Sequence, residues 1–114
     1  SIKYIVFDLD NDEIPQNFET ITLFSVLHHT CNIEKNSRKI ANACKRIIIE
    51  TRLNESGSKF INGKWKKTTS WTHNDIDELI RMLEYLFPGF FLIKNYGQGD
   101  KDRYILEFGK QGFF

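Results

Sequence analysis

The chain has 114 residues, enough for one hydrophobic core but not two, so we expect a single domain, residues 1–114. Sixteen basic residues against fifteen acidic ones leave a net charge of +1, which gives no global attraction to a polyanion. No apolar run approaches a membrane span, and the first residues do not resemble a signal peptide. Cys31 and Cys44 are interpreted as reduced thiols, which predicts a cytoplasmic protein.

The first quarter of the chain predicts two strands separated by a polar loop. Residues 3–8 form a nearly continuous apolar run, typical of a strand buried on both faces of a parallel sheet. Residues 8–17 are acidic and contain a proline, which predicts a loop. Residues 18–26 are rich in β-branched and aromatic types and predict the second strand.

The middle of the chain predicts a helix, a strand and a long polar loop. Ser37 is the predicted helix cap. One apolar face of this helix would contain Ile40, Ala41 and Cys44. Residues 46–51 predict the third strand. Residues 52–70 show neither helical nor strand periodicity, and a loop of that length is typical of a functional segment.

The last third predicts a second helix and a hairpin. The helix begins with a capping box, Thr72-x-x-Asp75, and ends at the Phe-Pro-Gly sequence of residues 87–89. Residues 90–96 and 103–108 predict two strands, which the short connection makes antiparallel. The alternation of strands and helices predicts an α/β fold, largely parallel, with one antiparallel strand added by the hairpin.

Four segments match, in order, short motifs of one enzyme family. Residues 7–15 place an acidic strand end before an Ile-Pro pair, and a new strand follows. Residues 26–29 form a Val-Leu-His-His turn, residues 46–51 match the strand after it, and residues 97–110 match a closing hairpin with an Asp-Arg pair. Together they resemble the class I S-adenosylmethionine-dependent methyltransferases over nearly the whole chain.

The resemblance implies a Rossmann-like methyltransferase sheet, mostly parallel with a C-terminal antiparallel hairpin, and methyl transfer from S-adenosylmethionine. It covers only the C-terminal portion of that domain, because the glycine-rich loop and the first two strands have no counterpart. Since those glycines let the backbone approach the cofactor, we expect this polypeptide alone to bind it weakly or not at all. A second chain or a missing N-terminal segment would complete the sheet. The acceptor, a small molecule or RNA, is undecided.

The resemblance also implies cofactor-binding residues. Asp10, preceded by Leu9, matches the acidic residue that accepts a hydrogen bond from the adenine amino group; the alternative is a solvated loop carboxylate. Phe24, Ser25 and Val26 match the strand end that contacts the methionine part of the cofactor, at the edge where open α/β sheets bind ligands.

Two adjacent histidines are the candidate catalytic residues. His28 or His29 would orient the acceptor or act as a base, since a histidine titrates near neutral pH. The alternative is that one packs under the turn and the other caps a carbonyl. Cys31 lies nearby, but further ligands at zinc-site spacing are missing, so no metal site is predicted.

Basic and aromatic side chains alternate along residues 50–70, a combination that holds phosphates and stacks bases. Arg52, Trp65 and Trp71 are the predicted substrate-binding residues. The alternative is a solvated loop whose tryptophans pack on the sheet edge.

Two other function classes remain open. The opening sequence resembles haloacid-dehalogenase-type phosphatases, in which Asp8 and Asp10 would serve as nucleophile and acid/base around magnesium, although the Gly-Thr that usually follows is absent. The other is a non-catalytic methyltransferase-like scaffold or partner subunit, which the missing glycine loop favours.

Overall fold

The computed structural model describes residues 8–15 and 18–112. The predicted strand at residues 3–8 therefore lies almost wholly outside the described residues. A 3-10 turn at Leu27–His29, here called the histidine turn, follows the first strand, and a second 3-10 turn spans Asp100–Asp102. The strands and helices are β1 (Phe18–Phe24), α1 (Ile33–Ala43), β2 (Cys44–Thr51), β3 (Asn54–Ile61), β4 (Lys64–Thr72), α2 (Ile76–Leu86), β5 (Phe90–Gln98) and β6 (Tyr104–Lys110).

Among the described residues, the larger sheet has four strands in the order β1-β2-β6-β5. β1 and β2 are parallel, whereas β6 is antiparallel to both of its neighbours, β2 and β5. Three strands therefore share one direction and the last strand opposes them, and the predicted C-terminal antiparallel hairpin is confirmed. The antiparallel strand does not extend the sheet at its end, as the sequence suggested, but lies between β2 and β5.

One face of this sheet packs against both helices and forms the core. Ile47 and Ile49 of β2 pair across the sheet with Phe108 and Leu106 of β6, and all four are fully buried. From the helices, the buried apolar partners are Ile40, Ala41, Leu79, Leu83 and Leu86. Burial of these side chains is the main stabilising contribution to the fold.

The opposite face, here called the open face, carries the alternate residues of the same strands. Arg46 donates to Thr20 Oγ1 at 2.9 Å and lies 3.6 Å from Glu107, whose Oε1 accepts a 2.6 Å hydrogen bond from Tyr96. Aromatic side chains flank this polar row: Phe24, Phe91 and Tyr96 are 56%, 49% and 51% exposed. No helix among residues 8–15 and 18–112 covers the open face.

The first helix begins earlier than predicted. Its cap is Asn32, whose side-chain oxygen accepts a hydrogen bond from Lys35 N at 3.0 Å. Ser37 is fully buried in the middle of the helix, so the prediction that it caps the helix is wrong. Cys44 belongs to β2, not to the helical face, because the chain passes directly from α1 into the strand.

Residues 52–70 are not an irregular loop, which corrects the sequence-based expectation. They contain β3 and most of β4, which form a separate two-stranded antiparallel ribbon. Asn62 and Gly63 connect the strands with φ values of 52° and 78°, as the tightest hairpin turn requires. A register shift between Glu55 and Ser56 twists the base of the ribbon.

The second helix ends where predicted, but its cap is Asp75, three residues later than the predicted Thr72. Asp75 accepts a hydrogen bond from Glu78 N at 3.0 Å, and Glu78 accepts one from Asn74 N at 2.8 Å. The capping box therefore spans residues 75–78, and Thr72 is the last residue of β4. Neither described helix is long and apolar enough to cross a membrane.

Candidate functional site

The carboxyl ends of β1 and β2 meet the histidine turn, and the predicted cofactor-binding residues lie here. Ser25 follows β1 with a φ of 56°, an uncommon conformation for a residue with a side chain. Its N–H approaches Glu50 O at 3.4 Å. Arg103 donates to Ser25 Oγ and, at 3.0 Å, to Glu50 Oε1. Backbone strain held in place by a charged network is typical of functional sites.

Glu50 and Arg103 were missed as site residues by sequence reasoning. They are more than fifty positions apart and meet only because β2 and β6 are neighbours in the sheet. The Asp-Arg pair of the closing hairpin was the one signal that pointed to residue 103.

Phe24 and Val26 flank Ser25 and face solvent, with exposed fractions of 56% and 44%. In open α/β sheets, ligands bind at the carboxyl ends of the strands, where exposed apolar side chains can contact them. The structure therefore places the three predicted residues 24–26 together at this edge.

Asp10 lies in the turn before β1 and is bound to the start of α1. Its Oδ1 accepts hydrogen bonds from Cys31 N at 2.9 Å and from the Asn36 amide at 2.7 Å. Partial burial opposes ionisation of Asp10, but these hydrogen bonds outweigh it and lower its pKa. Leu9 is half-buried and its carbonyl accepts a 2.7 Å hydrogen bond from Lys39. Both residues thus anchor this turn to α1.

The two histidines of the turn have different environments. His28 is 6% exposed, with its Nδ1 3.5 Å from Glu55 Oε2 and its ring edge-on to Trp71. Burial lowers the pKa of His28, although the charge of Glu55 opposes the shift. His29 is exposed, with its ring centroid 4.1 Å from that of His28. Of the two predicted catalytic residues, only His29 is accessible to an acceptor.

The base of the ribbon docks on the histidine turn through backbone as well as side chains. Ser70 donates to His28 O at 2.7 Å. A Cβ added at Gly57 would lie 2.4 Å from the same oxygen, so only glycine permits this approach. The ribbon is therefore fixed beside the carboxyl end of the main sheet.

The three predicted substrate-binding residues are not brought together. Trp71 is buried at the base of the ribbon and donates to Arg52 O at 3.1 Å. Arg52 is half-buried, and its Nε has no hydrogen-bond partner. Trp65 lies near the ribbon tip, 73% exposed. Trp71 and Arg52 thus belong to the base, while Trp65 belongs to a separate surface.

Two surface depressions of about 300 and 210 Å³ lie along α1, where Lys35 and Arg38 line both. The residues predicted for the site line neither of these two depressions. Within the described ranges, no three His, Cys, Asp or Glu side chains are grouped so that they could hold a metal ion.

The pKa of His28 predicts a pH-dependent stability. Burial lowers the pKa of His28 in the folded state, from its ordinary value of 6.5. When the pH falls below 6.5, His28 therefore binds more protons in the unfolded chain than in the folded one. The free energy of unfolding should therefore have its full value above pH 6.5 and should decrease as the pH is lowered from there. Urea unfolding between pH 7.5 and 5.5 measures this.

The matched variants for this experiment are His28→Gln and His29→Gln. The first should flatten the pH dependence between 7.5 and 5.5, whereas the second should reduce it only slightly, because the charge of His29 lowers the pKa of His28 less than burial does. An unaltered slope in His28→Gln would contradict the assignment.

Comparison with known proteins gives a likeness in structure alone. No protein-family model matches the chain, and no curated protein sequence matches it. One solved structure that it resembles is a provisionally assigned S-adenosylmethionine-dependent methyltransferase from Listeria monocytogenes, with a TM-score of 0.58 and 10% sequence identity. The match covers 90% of this chain and 66% of the Listeria chain. The likeness shows a shared mixed α/β fold, and this chain spans about two thirds of the length of that protein.

The described residues fit part of such a cofactor. Exposed Phe24 and Val26 offer apolar contact, and the ionised carboxylate of Asp10 offers an acceptor. The ribose of the cofactor would need partners beyond these residues.

Proposed function

We propose that this chain forms the C-terminal lobe of an S-adenosylmethionine-dependent methyltransferase domain, catalytic in the context of the complete domain. The observation that carries the proposal is the main sheet, in which β6 opposes three strands of one direction, as the motif resemblance implies. The structural likeness to the Listeria protein supports it. We propose further that the protein is cytoplasmic. The methyl acceptor in this proposal is a small molecule or RNA.

In this proposal the cofactor supplies the methyl group, and residues of the chain hold and orient the reactants. Phe24 and Val26 contact the cofactor, with the backbone of Ser25 between them held in shape by Arg103. Asp10 accepts a hydrogen bond from the adenine amino group through the carboxylate oxygen that does not bind α1. The gain in rate comes mainly from alignment of donor and acceptor.

We assign His29 to contact with the methyl acceptor. It is exposed at the same sheet edge, and its ring rests against His28, whose side chain is fixed by burial. A histidine in this position can accept a proton from an acceptor hydroxyl or amine near neutral pH.

Calorimetric titration with S-adenosylhomocysteine tests the proposal. We expect residues 1–114 alone to bind with a Kd above about 1 mM, because the glycine-rich loop has no counterpart here. The complete domain that this proposal requires, formed with a further segment or a second chain, should bind with a Kd on the order of 1–100 µM. Absence of binding by both proteins would contradict methyl transfer.

Two variants of the complete domain, each with one carboxylate changed, make the test more specific. Asp10→Asn should weaken binding roughly tenfold, since a charge-assisted hydrogen bond becomes a neutral one. Asp12→Asn changes an exposed carboxylate of the same turn, which accepts from Asp8 N, and serves as the matched control. Equal effects of the two changes would argue against a role for Asp10 in adenine binding.

A non-catalytic partner subunit is the second candidate, and the open face favours it. Half-exposed Phe24 on β1 and half-exposed Phe91 and Tyr96 on β5 place apolar side chains on both sides of the polar row, and a partner could cover them. The same titration separates the two functions, because a scaffold has no requirement for the cofactor. The phosphatase hypothesis is less favoured, since the carboxylates of Asp8 and Asp10 are engaged by Asn11 and by α1.

A further inference from the structure

The tip of the ribbon, here called the ribbon tip and comprising residues 58–67, is strongly basic. It carries Lys59, Lys64, Lys66 and Lys67, and no acidic residue occurs between positions 56 and 74. Because the whole chain has a net charge of only +1, the rest of it is net acidic. The ribbon tip therefore carries a local excess of positive charge that the net charge of the whole chain does not reveal.

An exposed aromatic pair occupies the same tip. Phe60 and Trp65 are directly opposite each other across the ribbon, with ring centroids 5.4 Å apart and exposed fractions of 62% and 73%. Rings this exposed add little to the hydrophobic core. Aromatic residues in this position are suited to stacking on a flat partner.

The lysines surround the aromatic pair on both faces of the ribbon. Lys67 follows the strand alternation onto the face of Phe60 and Trp65, whereas Lys59 and Lys66 are paired on the other face. A chain of phosphates that passes around the tip would meet ammonium groups on either side. Its bases would then lie over the aromatic rings.

We propose that the ribbon tip binds single-stranded nucleic acid, with Phe60 and Trp65 stacking on bases and the four lysines contacting phosphates. A duplex would satisfy the lysines but keep its bases away from the rings. An acidic peptide would likewise leave the aromatic pair exposed. Binding needs no cofactor, so this proposal does not depend on methyl transfer.

The anchoring of the ribbon makes the surface rigid. The Asn62-Gly63 turn has the backbone that tight hairpins need, and the ribbon base is held at the histidine turn through Ser70. A strand can therefore bind at the tip without the ordering of a loop, which lowers the entropic cost of binding.

The test is fluorescence anisotropy of a labelled 12-nucleotide oligouridylate with the full chain. We expect a Kd of roughly 1–100 µM at low salt, the range of non-specific binding. The logarithm of the association constant should fall with log salt at a slope of roughly −2 to −3, since each neutralised phosphate of a single strand contributes about −0.7. The same nucleotides in a duplex should bind more weakly.

Matched variants separate stacking from charge. Trp65→Ser should weaken binding roughly tenfold or more. Tyr85→Ser, at a residue 64% exposed on α2, should not change it. Lys64→Gln with Lys66→Gln should reduce the salt slope by about 1.4, whereas Lys45→Gln with Lys101→Gln should leave it unchanged. These side chains are exposed, so the unfolding midpoint should stay constant.

Several outcomes would overturn the proposal. One is the absence of binding at low salt; another is equal affinity for a 12-residue polyglutamate, which would assign the surface to an acidic protein. If Trp65→Ser left the affinity unchanged, binding would rest on non-specific electrostatic attraction alone. Each of these results is independent of S-adenosylhomocysteine binding, so failure here leaves the methyltransferase proposal intact.

Discussion

Gly57→Ala should lower the free energy of unfolding by about 1–3 kcal/mol, the range for overpacking in a well-packed region. The added methyl group would lie 2.4 Å from the backbone oxygen of His28 and 3.2 Å from the Cα of His29. Neither atom belongs to a flexible side chain, so the ribbon must separate from the histidine turn. Urea unfolding measures the loss of stability.

Gly99→Ala is the matched control for this change. Its added Cβ would approach no atom outside its immediate neighbours closer than 3.8 Å, and its φ is not in the left-handed region. We expect a change in unfolding free energy within about 0.5 kcal/mol, as for other surface substitutions. Equal losses from the two substitutions would show that Gly57 does not mark a close contact between the ribbon and the turn.

Glu55→Leu should lower the free energy of unfolding by about 3 kcal/mol, because it leaves buried donors without an acceptor. Glu55 is 7% exposed, and its Oε2 accepts from Thr51 Oγ1 at 3.0 Å and from Arg52 N at 3.3 Å. Leucine fills a similar volume, so the loss reports hydrogen bonding and not a cavity. Urea unfolding at pH 7.5 is the measurement.

Glu55→Gln tests the same network with an acceptor retained. The amide oxygen can still accept from Thr51 and Arg52, so we expect a loss of about half that of the leucine variant or less. If leucine is tolerated as well as glutamine, the carboxylate does not hold the ribbon base together.

The elements that the sequence predicted well carry strong local signals. The second helix combines an apolar stripe with a Phe-Pro-Gly stop at residues 87–89, and the hairpin of β5 and β6 follows from two strand-like runs with a short connection. The strand at residues 46–51 extends only two residues further, to Cys44. In each case the local preference agrees with the burial that the tertiary structure imposes.

The ribbon was missed because neither of its faces is buried along most of its length. Its exposed tip has no apolar-polar alternation, and that alternation is the signal for a half-buried strand. A signal was nevertheless present in the Asn62-Gly63 pair, which is the strongest short-range indication of a hairpin. Turn chemistry would thus have identified the ribbon where periodicity could not.

The candidate site was predicted only in part, since much of it depends on contacts between distant segments. The position of residues 24–26 follows from the strand end, and the structure places them there. The network of Glu50 and Arg103 depends on which strands are neighbours, and the burial of His28 depends on the ribbon that packs over it. Local sequence carries no information on either pairing.

The open face also bears on the fate of the chain in a cell. Phe24, Phe91 and Tyr96 expose apolar area to water on either side of the polar row, and among the described strands β1 pairs with β2 alone. A chain whose strand edge and apolar face stay uncovered is recognised by chaperones and proteases, which shortens its half-life. The abundance of this chain in a cell would therefore depend on the amount of the partner that covers the open face. Chains without that partner would be degraded.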